Sequence, residues 1–309
     1  MKHDVNITVL LVLMFLVAQV VGLLIVNQDI RQVVQETGET QVVHGETVIG
    51  PRPDVEPESP DTLILILSSV LIGTGLIFLI MRAGVVKVWK GLFFWAVFMT
   101  ISVALGVFIE PLFAFLIALV AAIWKVWKPN RVIHNLTEMF MYAGLAVIFV
   151  PILSIFWMVI LLLVISAYDA FAVWKSGHMV SLARFQMESK VFAGFSVSYS
   201  SKEVRIPKQA RTKPKTRKGT PPEGEVRQAI LGGGDIAFPL LFAGVVMEWL
   251  INAAQLTKEM AFLKALIIPL FVSIALLFLL VKSEKGKFYP AMPFLTVGCL
   301  AGLALVWLL

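Results

Sequence analysis

The chain is short of charge and nearly empty of sulfur. Only 15% of its 309 residues are charged, and Cys299 is its single cysteine. One cysteine excludes a disulfide framework and any thiolate metal cage. The four histidines, His3, His44, His134 and His178, are scattered. No His-Glu-x-x-His run occurs: His134 with Glu138 has the wrong spacing and lacks the second histidine, which argues against zinc protease chemistry. There is no Gly-x-Ser-x-Gly elbow and no Gly-x-x-x-x-Gly-Lys loop. No metal and no cofactor is expected from this inventory.

What remains is apolar. Hydrophobic residues make up 59% of the chain, and the mean hydropathy is +0.88. Soluble domains sit near roughly 45–50% apolar and about 25% charged. The composition is that of a multi-pass integral membrane protein, with the lipid bilayer as solvent.

A helix needs about 20 apolar residues to cross the hydrocarbon. Nine stretches qualify: Ile7–Val26, Thr62–Met81, Gly91–Ile109, Pro111–Trp127, Val132–Val150, Ile152–Trp174, Ala229–Leu250, Ala261–Val281 and Phe288–Leu309. The expected fold is therefore all-α. The first stretch is too long for a signal-peptide core and no small-x-small site follows it, so it reads as a retained span.

Charge bias orients the spans. With the N-terminus cytoplasmic, the inside segments carry Arg82, Lys87 and Lys90, then Lys125, Lys128 and Arg131, and finally Lys282, Lys285 and Lys287. The loop from Trp174 to Gln228 holds twelve Lys/Arg against four Glu, whereas the outside loop Asn27–Asp61 holds eight acids against two arginines. The net charge of +6 is the residue of these opposed loops, and the expected orientation is N-in, C-out.

Residues 1–151 then form a first part of five helices with an outside loop at 27–61. Residues 152–309 form a second part of four helices with a basic inside loop at 174–228. The proline-bearing outside loop reads as irregular. In the inside loop, Phe195-x-Val197-x-Tyr199 and Val204-x-Ile206 alternate as a short strand or hairpin does. Pro207–Glu225 has the composition of a disordered segment, and its basic run reads as a solvated topogenic loop rather than a nucleic-acid surface.

Ionisable residues at membrane depth are costly and point to function. Glu248 lies near the outer end of its span and reads as interfacial. Glu138, one turn after His134, reads as a packing or hydrogen-bonding residue. Asp169 and Asp235 are different. Asp169 precedes Lys175 by six residues, about 9 Å along a helix. Asp235 follows Arg227 by eight residues, about 12 Å if that segment is helical. The two spans are neighbours and antiparallel, so both carboxyls lie at matching depth from the same side.

Two carboxyls facing each other in a low-dielectric site do not both ionise readily. One holds a proton and the other acts as base, the arrangement used by aspartic proteases. By depth alone, the pair fits a proton- or cation-coupled transporter or leak channel equally well. A non-catalytic scaffold is a third reading. A transporter would favour inverted repeats and paired broken helices, and neither is visible.

The local sequence adds to this. Gly232, Gly233 and Gly234 precede Asp235, weaken the helix start and let another backbone approach. Pro239 cannot donate to the Asp235 carbonyl. Tyr168 precedes Asp169, and Tyr289-Pro290-Ala291-Met292-Pro293 opens the last span.

Taken together, Tyr168-Asp169, Gly232-Gly233-Gly234-Asp235 and Pro290-Ala291-Met292 resemble the motifs of the presenilin and signal peptide peptidase family of intramembrane aspartyl proteases. That family carries Tyr-Asp, Gly-x-Gly-Asp and Pro-Ala-Leu in the corresponding spans. Met292 stands at the leucine position, a swap of similar volume. The resemblance implies that Asp169 and Asp235 are the catalytic pair, and that the glycines, Tyr168, Tyr289, Pro290, Ala291 and Met292 shape the site. It implies a transmembrane peptide or protein as substrate, held as an extended strand, and an archaeal-type or other prokaryotic cell-membrane protein. It leaves homo-oligomer formation open.

Overall fold

The structure, a computed structural model, describes residues 5–34, 40–52, 57–176, 191–200, 226–283 and 289–309. Val204–Ile206, the basic run Pro207–Glu225 and the lysines Lys285 and Lys287 lie outside the described residues.

Helices dominate, as the apolar runs predict. They are α1 (Val5–Asp29), α2 (Pro60–Ala83), α3 (Val86–Gly106), α4 (Pro111–Trp127), α5 (Arg131–Phe149), α6 (Ile155–Phe171), α7 (Gly233–Asn252), α8 (Lys258–Ala265), α9 (Ile267–Lys282) and α10 (Met292–Leu308). Among the described residues, seven helical segments are long and apolar enough to cross a membrane, α8 and α9 counting as one segment, Lys258–Lys282. Two shorter apolar helices, α4 and α10, accompany them.

Local chemistry sets the boundaries. Ser59 caps α2 by accepting from the Asp61 amide, and Pro60 supplies the first helical residue. Gly84 closes α2 in the left-handed conformation. Asn130 caps α5 through the Val132 amide. Pro151 ends α5 in a single tight turn, Val150–Ile152, after which Ser154 caps α6. The bend between α8 and α9 falls just before Pro269, whose ring cannot continue a hydrogen-bond ladder.

The core runs along α7. This helix touches α1, α5, α6, α9 and α10. By contrast, α2 touches only α3 and α6 closely and turns Leu71 and Ile72 outward. Such an apolar outer face suits lipid contact.

Three sequence expectations change. The loop after α1 is not irregular throughout: β1 (Ile30–Val34) and β2 (Thr40–His44) form an antiparallel hairpin. Its short strands mix polar and apolar residues, so alternation alone does not reveal them. The seventh span starts at Gly233, because Val226–Gly232 is a strand, β4, rather than the first turns of a helix. The expected strand around Phe195 is present as β3 (Gly194–Ser200), but it pairs antiparallel with β4.

The end of the bundle at the β1–β2 hairpin is tied by charge. Arg52 donates to both carboxylate oxygens of Asp29, at 2.8 and 2.7 Å. His44 Nδ1 lies 2.8 Å from Asp29, and its Nε2 lies 3.3 Å from Glu248 on α7. Glu248, near the end of α7, therefore faces His44. Burial by itself would lower the His44 pKa, but the two carboxylates outweigh it and raise it from 6.5 to about 9.

Candidate active site

Asp169 sits in the last turn of α6, which continues as a wider π-type turn over Ala172–Ser176. Asp235 is the third residue of α7. The two helices pack against each other, and the Asp169 charge bears on Asp235. The strand β4 leads straight into the turn that carries Asp235. The carboxyl hangs at a strand-to-helix junction, not inside a continuous helix.

Each carboxyl has its own amide donors. Asp169 is buried and accepts from the backbone amide of Met292 at 3.0 Å. The Ala291 amide also bonds to it. Pro290 is buried and Tyr289 half-buried beside this turn. The Ala291 and Met292 amides stand at the start of α10, where a helix has no acceptor of its own for them, and the segment offers them to Asp169 instead. Asp235 accepts from the amide of Gly232, the residue capping α7. An acid at the third helical position reaching back to the cap is the acid half of a capping box.

The glycines are not equivalent. Gly233 abuts the ring of Tyr142: a Cβ there would stand 2.6 Å from the phenol oxygen. Gly234 is exposed and leaves one side of the Asp235 turn uncovered. Pro239 lies inside α7 one turn on, so the Asp235 carbonyl has no ladder donor. Tyr168 is exposed on α6 while Asp169 is buried, so the structure separates the two halves of that motif.

Depth follows from α1. Gln19 Nε2 donates to the Ile236 carbonyl at 2.7 Å, next to Asp235. Gln19 precedes the C-terminal end of α1, Asp29, by ten residues, or about 15 Å. Asp235 therefore lies well away from that end, beside the middle of a 25-residue helix.

Two features escape the sequence reading. Ser166 and Thr296 share a buried hydrogen bond of 2.7 Å that joins α6 to α10 one turn from Asp169. The second is a buried polar group on α4 and α5. Lys125, expected among the loop cations, is enclosed, with its Nζ donating to Glu138 at 2.6 Å, Thr137 at 3.1 Å and the His134 carbonyl at 3.3 Å. All three ammonium protons are matched. The other oxygen of Glu138 accepts from Tyr142 and from the Gly194 amide. The signal for this group was Glu138 itself, an acid inside an apolar span. Its partner was disguised by lying near the end of α4.

The family profile described as "Signal-peptide peptidase, presenilin aspartyl protease" matches residues 62–309. The chain belongs to that family. It is an intramembrane aspartyl protease, and the transporter alternative finds no support. Comparison with curated proteins gives no match. Among solved structures, the chain is similar to a presenilin family intramembrane aspartate protease in two crystal forms. For the P2 form the TM-score is 0.57 at 17% identity, covering 96% of each chain. For the C222 form it is 0.57 at 16% identity, covering 96% of this chain and 99% of the other. At that identity the likeness establishes the shared fold. Membership of a presenilin and signal-peptide peptidase family implies transmembrane substrates within a bilayer.

Proposed function

We propose that Asp169 and Asp235 are the reacting pair of this protease. The observation that carries the reading is their convergence at the junction of α6 and α7, each held by backbone amides from a neighbouring segment. One carboxylate takes a proton from water as that water attacks the scissile carbonyl carbon. The other carboxyl gives its proton to the carbonyl oxygen, forming a neutral tetrahedral diol. Collapse breaks the C–N bond. The leaving amine takes a proton from the first carboxyl, and the second recovers its own from the diol hydroxyl. Atoms and protons then balance over the cycle.

The substrate must be extended before water reaches its backbone. The strand β4 runs directly into the Asp235 turn and offers an edge for pairing. A substrate strand added there would be held by main-chain bonds and read weakly by side-chain identity. Tyr289, Pro290, Ala291 and Met292 would wall the site from α10, and Gly232, Gly233 and Gly234 would give the backbone room. We further propose that α4 and α10 also cross the bilayer, giving nine crossings with the N-terminus inside and the C-terminus outside. The preferred substrates are then single-span proteins with an outside N-terminus.

The test is cleavage of a fluorogenic single-span substrate in vesicles by the wild type, Asp169→Asn and Asp235→Asn. Asn keeps the size and polarity but cannot exchange a proton. Both variants should fold and be inert; product from either one refutes the assignment.

A further inference from the structure

The two edges of the β3–β4 ribbon are unlike. In an antiparallel ladder, the N–H and C=O of one residue point to the same side and those of the next residue to the other. Gly194 and Ser196 point away from β4, because α5 side chains hold both of their polar groups. Glu138 accepts from the Gly194 amide at 3.0 Å. His134 Nε2 donates to the Gly194 carbonyl at 2.9 Å. Asn135 takes Ser196 from both sides: its Oδ1 accepts from the Ser196 amide at 3.1 Å and its Nδ2 donates to the Ser196 carbonyl at 3.0 Å.

Three side chains on one helix thus reproduce the bonds that a neighbouring strand would make. The register then follows. Phe195 and Val197 face β4 and pair with Leu231 and Ala229. Gly232, Ile230 and Gln228 direct their backbone groups away from β3. Only this second edge continues into Asp235.

The same group reaches the catalytic turn. Glu138 also binds the hydroxyl of Tyr142, the ring against which Gly233 packs. Phe195 is buried edge-on to Tyr142, with ring centroids 6.4 Å apart. Lys125 holds the remaining oxygen of Glu138 and so fixes the orientation of the carboxylate.

We propose that Asn135 and Glu138 are positioning residues that close the β3 edge to substrate and set the register of the ribbon against the aspartates, and so select the bond that is cut. The inference rests on the reading of Asp169 and Asp235 as the reacting pair, with substrate on β4. With α5 seated on β3, an incoming strand has one edge to join and one register relative to Asp235. Without those bonds, β3 can slide or take up the substrate itself, and the cut moves along the chain.

The experiment uses the full-length enzyme in phosphatidylcholine vesicles with a synthetic single-span peptide, and product ends are read by mass spectrometry. Asn135→Ala removes both bonds to Ser196 at a part-exposed position, so the fold should survive. Retained binding of a transition-state-like aspartyl inhibitor checks this. The expected result is at least a twofold fall in the share of the dominant product, with neighbouring bonds cut instead. Exchange of the Ser196 amide should quicken at least tenfold.

A second comparison separates positioning from bulk. The pair Lys125→Met with Glu138→Gln keeps an acceptor for the Gly194 amide and should restore the wild-type product ratio. Lys125→Met with Glu138→Leu keeps volume but offers no acceptor and should not. The inference is overturned if Asn135→Ala and the leucine pair cut at wild-type ratios, whatever their rates, or if the Ser196 amide stays protected in Asn135→Ala. If Asp235→Asn still cuts, the underlying assignment fails. If Asp235→Asn is inert while the α5 variants cut normally, only the positioning role fails.

Discussion

The backbone amide of Met292 donates to the carboxylate of Asp169 across 123 positions of sequence, at 3.0 Å. This bond ties a proline-rich helix start to a buried carboxyl on α6. The amide matters more than the side chain, which separates two substitutions at one position. Met292→Leu conserves volume and should keep activity within a few-fold. Met292→Pro removes the donor. A hydrogen bond to a charged group contributes about 1.5–3 kcal/mol, so kcat should fall by roughly 10–150-fold. Equal activities of the two variants would show that the amide has no such role.

Gly194 has φ +138°, and a Cβ there would run into the Leu231 carbonyl. Gly194→Ala therefore strains the start of β3 and presses on β4. A strained backbone site of this kind costs about 1–3 kcal/mol. Proteolysis of the single-span substrate should drop at least tenfold while the helices keep their circular dichroism signal. Wild-type turnover in Gly194→Ala would mean that the ribbon tolerates displacement.

The Lys125–Glu138 pair is enclosed almost completely. Removing one partner of a buried pair costs about 3–5 kcal/mol, whereas replacing both is often close to neutral. Lys125→Met should lower the melting temperature in detergent markedly. Adding Glu138→Gln should recover most of the loss. Additive losses in the double variant would rule out the coupling.

His44 gives the Asp29–His44–Glu248 cluster a pH dependence. Its pKa is raised to about 9 in the fold against 6.5 without partners. The protonated form is the one the fold favours, so its contribution is fully present below pH ~6.5. It declines above that value and is gone once the pH has passed about 9. The shift corresponds to a contribution on the order of 3 kcal/mol. Melting temperature should fall between pH 7 and 10 in the wild type and change less in His44→Gln. Parallel pH profiles would remove His44 from the account.

Much of this was legible in the residues. The apolar runs located the helices because lipid demands length and low charge, and α4 begins and ends where its run does. The motif aspartates stood out because acids are rare at depth. What failed has common physical causes. Ala229–Leu231 is apolar and reads as the first turn of a helix, yet it is part of a strand whose partner lies more than thirty residues earlier. Sequence periodicity carries no information about so distant a pairing. Lys125 counted as a loop cation because a charge near a helix end is ordinarily solvated. Only the fold places Glu138, Thr137 and the His134 carbonyl around it. The β1–β2 hairpin was hidden by strands with no apolar face to alternate.

The contacts between α1 and α7 have a mechanical consequence. Gln19 grips α7 at Ile236, beside Asp235, and the Asp29–His44–Glu248 group grips it near the far end. Two clamps about 15 Å apart along α1 suppress both sliding and tilting of α7. Asp235 is therefore carried on a braced frame. Asp169 rides on α6, which is stitched to α10 by Ser166–Thr296 and by the Met292 amide. The two carboxyls thus belong to two separately tied helix pairs, and the stiffness of the joint between those pairs sets how far one carboxyl can move relative to the other.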